Sequence, residues 1–187
     1  MSLPATYLQL FSTLTEQGEL RLELKELEMP TPDEKQVVIR VEATPINPSD
    51  LGVMFGWADM SKAQTTGSGN DTVLTAPVSP AGMKVMAARV GQSLPIGNEG
   101  AGTVVATGSD EYAKSLEGKV VAAMGGGMYG QYRCVDAAAC LPLQAEHTAK
   151  DGASCFVNPL TALCMIETMK SEGHTALVHT AAASNLG

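Results

Sequence analysis

The stretch that decides the fold is residues 102–135, GTVVATGSDEYAKSLEGKVVAAMGGGMYGQYRCV. Thr103 to Thr107, Val120 to Met124 and Gln131 to Val135 are short segments with the composition of β-strands, and turn residues separate them. The run Gly125-Gly126-Gly127 requires backbone freedom, either for positive φ or for a close approach of other groups. Many short strands divided by turn signals predict a mainly β fold with some helix, as a barrel or a sandwich.

Three further strand patterns precede this stretch. Tyr7 to Leu14 and Leu20 to Leu27 flank a turn around Gly18, and apolar and charged side chains alternate in the second of them. Val37 to Ala43 alternates in the same way and ends before Pro45, since proline cannot donate to a strand ladder. The alternation indicates strands that bury one face.

Residues 57–93 form a segment of a different kind. It is rich in Ala, Gly, Ser, Thr and Met, carries few charges and has no clear period. A structureless stretch of this length is uncommon in a compact domain and is typically a lid, a contact surface or a mobile loop. The alternative is a surface excursion with no part in the chemistry.

The pattern changes after residue 148. Asp151 to Val157 predicts a short helix, and Asn158-Pro159 predicts a second one, with Asn as N-cap, that ends near Gly173. Thr175 to Thr180 predicts an apolar strand, and a strand of a parallel sheet needs βαβ partners. We therefore expect one domain over 1–148, and over 149–187 a connecting helix with the first strand and turn of a truncated nucleotide-binding domain.

Composition and charge restrict the classes of function. The net charge of −8 would repel a phosphate backbone, which argues against nucleic-acid binding. No apolar run approaches the roughly 20 residues that cross a bilayer, and the first residues do not resemble a signal peptide. We therefore predict a cytoplasmic protein without a membrane segment.

Its cysteines do not have zinc-finger spacing and are predicted to be reduced thiols. They are Cys134, Cys140, Cys155 and Cys164.

Six segments, taken in order and spacing, resemble the medium-chain dehydrogenase/reductase superfamily, in particular its zinc-independent quinone oxidoreductase-like branch. They are VEATPINPSD (41–50), PIGNEGAGTVV (95–105), GKVVA (118–122), GMYGQY (127–132), NPLTA (158–162) and ALVHTAAASNLG (176–187). The resemblance implies a partly open GroES-like β-barrel followed by a Rossmann domain, here cut after its first strand. The segment 57–93 is longer than the family usually carries.

The same resemblance argues against zinc. Zinc-dependent members usually place Cys where Asn47 stands and His where Asn98 stands, and asparagine supplies neither thiolate nor imidazole. Glu99 is present, but a single carboxylate does not make a site. The histidines lie far from these positions in the sequence and are predicted to be exposed or core residues. They are His147, His174 and His179. We therefore predict no metal site.

Without a metal, the resemblance implies hydride transfer from NADPH or NADH, with NADPH favoured, to a conjugated electrophile such as a quinone or an enone. Asn47, Asp50, Asn98 and Thr161 would then face the nicotinamide and the substrate, whereas no catalytic residue can be assigned. The alternative for Asn47 and Asp50 is structural, because Asn-Pro-Ser-Asp is also good turn and cap chemistry.

The cofactor signal lies at the end of the chain. The family pattern A-x-x-G-x-x-G matches Ala181-x-x-Ser184-x-x-Gly187, with serine in place of the first glycine. Such a turn after a strand directs backbone amides at a pyrophosphate. The residues expected to bind the cofactor are Ala181, Ala182, Ser184, Asn185 and Gly187.

Two functional hypotheses follow. The first is the front part of a zinc-free NAD(P)H-dependent oxidoreductase, whose partner is a small electrophile and whose 187-residue chain alone is predicted to be inactive. The second is a non-enzymatic GroES-like binding or assembly module, since fold does not determine function. A homodimer is the habit of the family. The polar positions around Asn47 and the start of the cofactor motif favour the enzyme.

Overall fold

The computed structural model describes residues 3–184 and 186, and its described part is mainly β with shorter helices. The strands are β1 Thr6–Leu14, β2 Glu19–Glu28, β3 Gln36–Ala43, β4 Gln64–Thr66, β5 Val73–Pro77, β6 Ser93–Pro95, β7 Glu99–Thr107, β8 Val120–Met124, β9 Tyr132–Asp136 and β10 Cys140–Pro142. The α-helices are α1 Pro48–Met54, α2 Pro80–Val85, α3 Glu111–Ser115, α4 Ala149–Gly152 and α5 Val157–Ser171.

The strands form two antiparallel sheets of five strands each. Their orders are β4-β5-β2-β1-β6 and β10-β8-β7-β3-β9. A single antiparallel bridge between Gln9 and Gly130 joins them, so the described strands do not close into a barrel. The mainly β, partly open architecture predicted from the sequence is confirmed.

Each sheet packs on its own apolar cluster. Leu14, Leu20 and Ile96 are fully buried under the first sheet, and Ile39 and Leu116 are buried at the second. Removal of these side chains from water is the main term that favours folding. In β2 the burial alternates as the sequence pattern predicted, since Leu20 and Leu22 point inward while the residues between them stay accessible. The core of the described chain therefore packs against both sheets.

The predicted structureless character of residues 57–93 is wrong. β4, β5, α2 and β6 form or begin within this segment, and β5 joins the first sheet beside β2 with Leu20 opposite Ala76. The Ser79 hydroxyl accepts a hydrogen bond of 3.1 Å from the Gly82 amide and so caps α2. The strands are too short for a period to be visible, and β5 and β6 pair with strands far away in the sequence, β2 and β1.

The helices after residue 148 begin elsewhere than predicted. The helix expected over Asp151 to Val157 is α4, which begins earlier because the Asp151 carboxylate accepts the Thr148 amide at 2.7 Å. The second helix begins at Val157, so Asn158 is not its N-cap. A distant carboxylate satisfies the first amides of this helix, and no local cap is required. The predicted end is confirmed: α5 stops at Ser171, and Gly173 follows with φ of 73°.

The predicted strand Thr175 to Thr180 does not form. No strand in the described part of the chain lies beside it, and an isolated strand would leave its backbone N–H and C=O groups unpaired by protein. Val178 in this segment is 87% exposed. The segment therefore has the composition of a buried strand without a partner to bury it.

Among the described helices, none has the length and apolar character needed to cross a bilayer.

Candidate functional site

The site is built first around the N-terminal end of α1. Pro48 takes the first helical position, where a missing N–H costs nothing, and Asn47 precedes it as N-cap. The Asp50 carboxylate turns back and accepts the Asn47 amide at 2.8 Å, which is half of a capping box. Both side chains are buried. The structural role that the sequence allowed for Asn47 and Asp50 is therefore present.

Asp50 also connects this turn to the segment that enters β7. Its Oδ1 accepts the Asn98 amide at 2.9 Å, and the Asn98 side chain donates to the Ser49 hydroxyl at 2.8 Å. Three of the predicted pocket residues, Asn47, Asp50 and Asn98, thus come together in one hydrogen-bonded cluster, which we call the Asp50 cluster. Asn98 is half-buried, so its amide lies at the edge of the cluster.

Tyr129 completes the Asp50 cluster, and the sequence analysis missed it. Its phenol donates to the Pro45 carbonyl at 2.8 Å and lies 3.3 Å from Asp50 Oδ2. Burial, followed by the negative charge of Asp50, raises the pKa of Tyr129 to about 12, so the phenol stays protonated at neutral pH. The position of Tyr129 within GMYGQY was visible, but its contact with Asp50 depends on a fold that sequence spacing does not reveal.

Gly97 allows this approach. Its φ is 97°, and a Cβ at this position would lie 2.6 Å from the backbone nitrogen of Tyr129. Real contacts are not this short, so any larger residue would push the Tyr129 backbone away from the Asp50 cluster. The glycine is required both for the backbone conformation and for the space.

Glu99 links the Asp50 cluster to α5. The side chain is 1% exposed, and its Oε1 accepts the Asn47 side-chain amide at 2.8 Å. Its Oε2 accepts the backbone amides of Phe156 and Val157, at 2.8 and 2.9 Å. A carboxylate at a helix N-terminus is favourable because of the partial positive charge there. The sequence signal was a charged residue amid glycines at the start of an apolar strand, and its partners lie in another part of the chain.

Thr161 lies one turn further along α5. Its hydroxyl donates to the Val157 carbonyl, so its connection to Asn47 runs through the helix and Glu99. Thr161 is exposed and lines a groove of about 510 Å³ between α5 and the segment after it. The apolar wall of this groove includes Met165. Thr161 is therefore on a different surface element from the Asp50 cluster.

Three of the predicted cofactor residues lie in a turn at the end of the described chain. Ala181, Ala182 and Ser184 are exposed, and the Ser184 amide donates to the Ala181 carbonyl at 2.9 Å. Asn185 and Gly187 lie outside the described residues. The turn thus forms even though the strand before it does not. Its small side chains leave the backbone accessible, which fits a group that backbone amides bind, such as a pyrophosphate.

Metal ligation is a separate question. Within residues 3–184 and 186, no three side chains of His, Cys, Asp or Glu lie close enough together to hold a metal ion. Asn47 and Asn98 are engaged with Glu99 and Ser49, and neither is a usual zinc ligand. Zinc independence stays a prediction from these residues.

Comparisons with known proteins identify the family and the fold of the chain. Residues 33–145 match the family described as the alcohol dehydrogenase GroES-like domain. A solved structure of a proposed NADPH:quinone reductase from Mesorhizobium loti is 32% identical over 100% of this chain and 50% of its own, with a TM-score of 0.68. A search of curated protein sequences finds no significant match.

Two further solved structures share the fold at lower identity. A quinone oxidoreductase from Pseudomonas syringae is 18% identical over 91% of this chain and 42% of its own, with a TM-score of 0.56. A quinone oxidoreductase from Thermus thermophilus, solved also with NADPH, is 22% identical over 87% and 41%, with a TM-score of 0.53. The chain spans half the length of the Mesorhizobium protein. It belongs to the alcohol dehydrogenase GroES-like domain family, as a quinone oxidoreductase-like member of the medium-chain dehydrogenase/reductase superfamily.

Proposed function

We propose that this chain is the substrate-side part of a zinc-free, NADPH-dependent oxidoreductase that transfers a hydride to a quinone or an enone. The observation that carries the proposal is the Asp50 cluster, where Asn47 and Asn98 occupy positions at which zinc-dependent relatives usually have ligands. Here they are held instead by Asp50 and Glu99. The 32% identity to a proposed NADPH:quinone reductase supports the same conclusion.

A bound nicotinamide would supply the hydride. The task of the chain is then to orient the electrophile and to stabilise the negative charge that develops on its oxygen. We assign the donor to that oxygen to the half-buried side-chain amide of Asn98, and the hydrogen bonds that hold its backbone to Asp50 and its side chain to Ser49 support this assignment. The side chain of Asn47 is held by Glu99. A quinone or enone suits amide donors because its charge spreads over several atoms.

Tyr129 supports this arrangement. Because its pKa is raised to about 12, the phenol remains a hydrogen-bond donor under neutral conditions and adds no charge beside Asp50. The phenol therefore stays in one protonation state over the working pH range. Its titration does not disturb the hydrogen bonds that Asp50 makes in this range. We assign these residues to orientation and leave the proton donor to the substrate unassigned.

The cofactor would lie across the second part of the chain. We propose that Thr161 faces the nicotinamide and that the backbone around Ala181, Ala182 and Ser184 binds the pyrophosphate. The division at residue 148 into a substrate domain and the start of a nucleotide-binding domain, a cytoplasmic location and a homodimeric assembly belong to the same proposal. The small side chains of the terminal turn support the assignment of the pyrophosphate to that turn.

The test uses the full-length protein that contains this chain. Purified protein is mixed with NADPH and a para-quinone or an α,β-unsaturated ketone in excess chelator, and absorbance at 340 nm is followed. We expect turnover with the full-length protein and none with the 187-residue chain alone. Loss of turnover in chelator, restored by zinc, would refute the zinc-free mechanism. Turnover by the short chain would refute its predicted inactivity.

A binding or assembly module is the second candidate. The exposed apolar side chains of α5, Leu160, Leu163 and Ile166, favour it because such a face can bind another protein surface. The same assay separates the two candidates. Full-length protein that binds no NADPH and reduces no electrophile would leave the binding module as the better proposal.

A further inference from the structure

Arg89 reaches inward from the 57–93 segment. It ends a short 3₁₀ turn, Ala87–Arg89, and its guanidinium donates to the Val53 carbonyl from Nη1 at 2.9 Å. Nη2 donates to the Ser12 hydroxyl at 3.1 Å and to the Ser12 carbonyl at 3.4 Å. Nε is buried and has no hydrogen-bond partner. The side chain thus crosses from the segment to β1 and to the end of α1.

Among the described residues, the charge of Arg89 has no acidic partner within ion-pair distance. None of the ion pairs found within residues 3–184 and 186 involves it. Burial lowers the pKa of Arg89. Placing a cation in such surroundings costs free energy unless it is hydrogen-bonded. The compensation here comes from the Val53 carbonyl near the C-terminal end of α1, where the partial charge of a helix is negative, and from the hydroxyl and carbonyl oxygens of Ser12 in β1.

Ser12 acts together with Arg89. Its side chain is fully buried, and its hydroxyl donates to the Met54 carbonyl at 3.0 Å while it accepts from Arg89. Two consecutive carbonyls at the end of α1, those of Val53 and Met54, are therefore held by one junction. This junction fixes the C-terminal end of α1 against the first sheet.

The opposite end of α1 carries the candidate site. The helix has seven residues and is about 10 Å long at 1.5 Å per residue. Asn47 and Asp50 lie at its N-terminal end and hold Asn98. A helix of seven residues has about two turns, so we expect a shift at one end to be transmitted to the other.

We propose that Arg89 is a positioning residue for the Asp50 cluster, and that the 57–93 segment therefore contributes to the candidate site through α1. Arg89 itself does not touch the substrate. The consequence for activity rests on the proposed function, because displacement of reacting groups by about 1 Å can lower a rate about 100-fold. The consequence for geometry does not depend on any reaction.

The first experiment measures geometry. Full-length protein is labelled with ¹⁵N-asparagine, and the wild type is compared with Arg89→Met, which keeps the apolar stem but donates no hydrogen bond. We expect the signals of Asn47 and Asn98 to move while that of Asn70, in the exposed turn Gly69–Asp71, stays. The matched control Lys84→Met removes an exposed cation from the same segment and should leave the signals of Asn47 and Asn98 in place. Unmoved Asn47 and Asn98 signals in folded Arg89→Met would overturn the proposal.

The second experiment measures rates per folded active site. Arg89→Met should lower kcat for the electrophile by about tenfold or more, and KM for NADPH should stay within about twofold. The expected loss in kcat is smaller than the roughly 100-fold loss for a 1 Å displacement, because the Asp50 cluster keeps its other hydrogen bonds. Arg89→Lys retains a donor and should recover part of kcat and part of the shift in the Asn98 signal. It also replaces Arg89→Met if that variant does not fold.

The outcomes separate the two proposals. If wild-type protein reduces no quinone or enone but the asparagine signals respond to Arg89, the proposed function fails and the positioning role stands. If the wild type is active and Arg89→Met lowers only Tm, with kcat per folded site and the Asn98 signal unchanged, Arg89 is structural and the positioning role is refuted.

Discussion

The region from β1 to α4 and the region from α5 onward differ in how their apolar residues are used. The first buries aliphatic side chains in apolar clusters and contains the Asp50 cluster. In the second, α5 has no buried residue, and Leu163 is 53% exposed. The helix nevertheless forms, whereas the strand pattern of Thr175 to Thr180 does not.

This difference shows which elements form without a neighbouring element to pair with. A helix satisfies its backbone hydrogen bonds within itself, so α5 needs little more than a start and a stop. A strand satisfies them only with a neighbour, and the described chain offers none at residue 178. Glu99 is the polar connection between the two regions, because one buried carboxylate holds Asn47 on one side and the first amides of α5 on the other.

The largest effect is expected at this connection. Glu99→Ala removes the acceptor of the Asn47 side chain and of the Phe156 and Val157 amides. Since each unsatisfied buried donor costs about 1–3 kcal/mol, we expect the free energy of unfolding in urea to fall by about 4 kcal/mol. Hydrogen exchange at Phe156 and Val157 should accelerate in the same variant. Glu117→Ala, at an exposed glutamate, is the control and should change neither quantity. Continued protection of both amides would show that Glu99 does not hold α5.

A smaller loss is expected within the first region. Gly97→Ala places a Cβ against the Tyr129 backbone and imposes a φ of 97° on an alanine. We expect a loss of about 2–3 kcal/mol, because backbone strain of this kind costs about 1–3 kcal/mol and the clash adds to it. Gly52→Ala is the control, since nothing lies within 4 Å of its Cβ position and alanine favours a helix. Equal stability of the two variants would contradict the packing described for Tyr129.

The titration of Tyr129 tests the cluster by pH. Because the pKa is raised from 10.0 to about 12 in the fold, the phenol stabilises the protein fully below pH 10, and this contribution is lost as the pH rises through about 12. Absorbance at 295 nm should show one phenol that ionises near pH 12 and disappears in Tyr129→Phe. Tyr112→Phe, at an exposed tyrosine, should leave that late step in place. A late step that survives Tyr129→Phe would assign it to another tyrosine.

The smallest effect is expected in the second region. Leu163→Ser replaces an exposed leucine of α5, and surface substitutions usually change stability by less than about 0.5 kcal/mol. Leu20→Ala is the contrasting variant from the first region, where a fully buried leucine should cost about 3 kcal/mol. Comparable losses for the two leucines, measured by urea unfolding, would mean that the α5 face is buried in solution.

The sequence predicted the parts of the fold that have local causes. β2 and β3 follow from alternation, and positive φ at Gly125, Gly126 and Gly127 was expected from the glycine run. β5 was missed because its pairing with β2 depends on residues far away in the chain, and β4 was missed because it is a short strand that pairs only with β5. The start of α5 was placed wrongly for the same reason, since its first amides bind Glu99 rather than a neighbouring cap.

The candidate site shows the same division. Asn47, Asp50 and Asn98 were chosen through the family resemblance, and the structure places them in one cluster. Glu99 was considered only as a metal ligand, and Tyr129 was not selected, because the partners of both side chains are separated from them by many residues. Buried long-range hydrogen bonds of this kind leave no periodic signal in a single sequence.

The most direct test of the central claim follows the hydride itself. Full-length protein is incubated in excess chelator with an enone and NADPH that carries deuterium at the transferred position of C4, and the product is analysed by mass spectrometry. We expect a saturated ketone with one deuterium on the β-carbon and a solvent-derived proton on the α-carbon. A product without deuterium, or deuterium transfer that requires added zinc, would refute zinc-free hydride transfer by this protein.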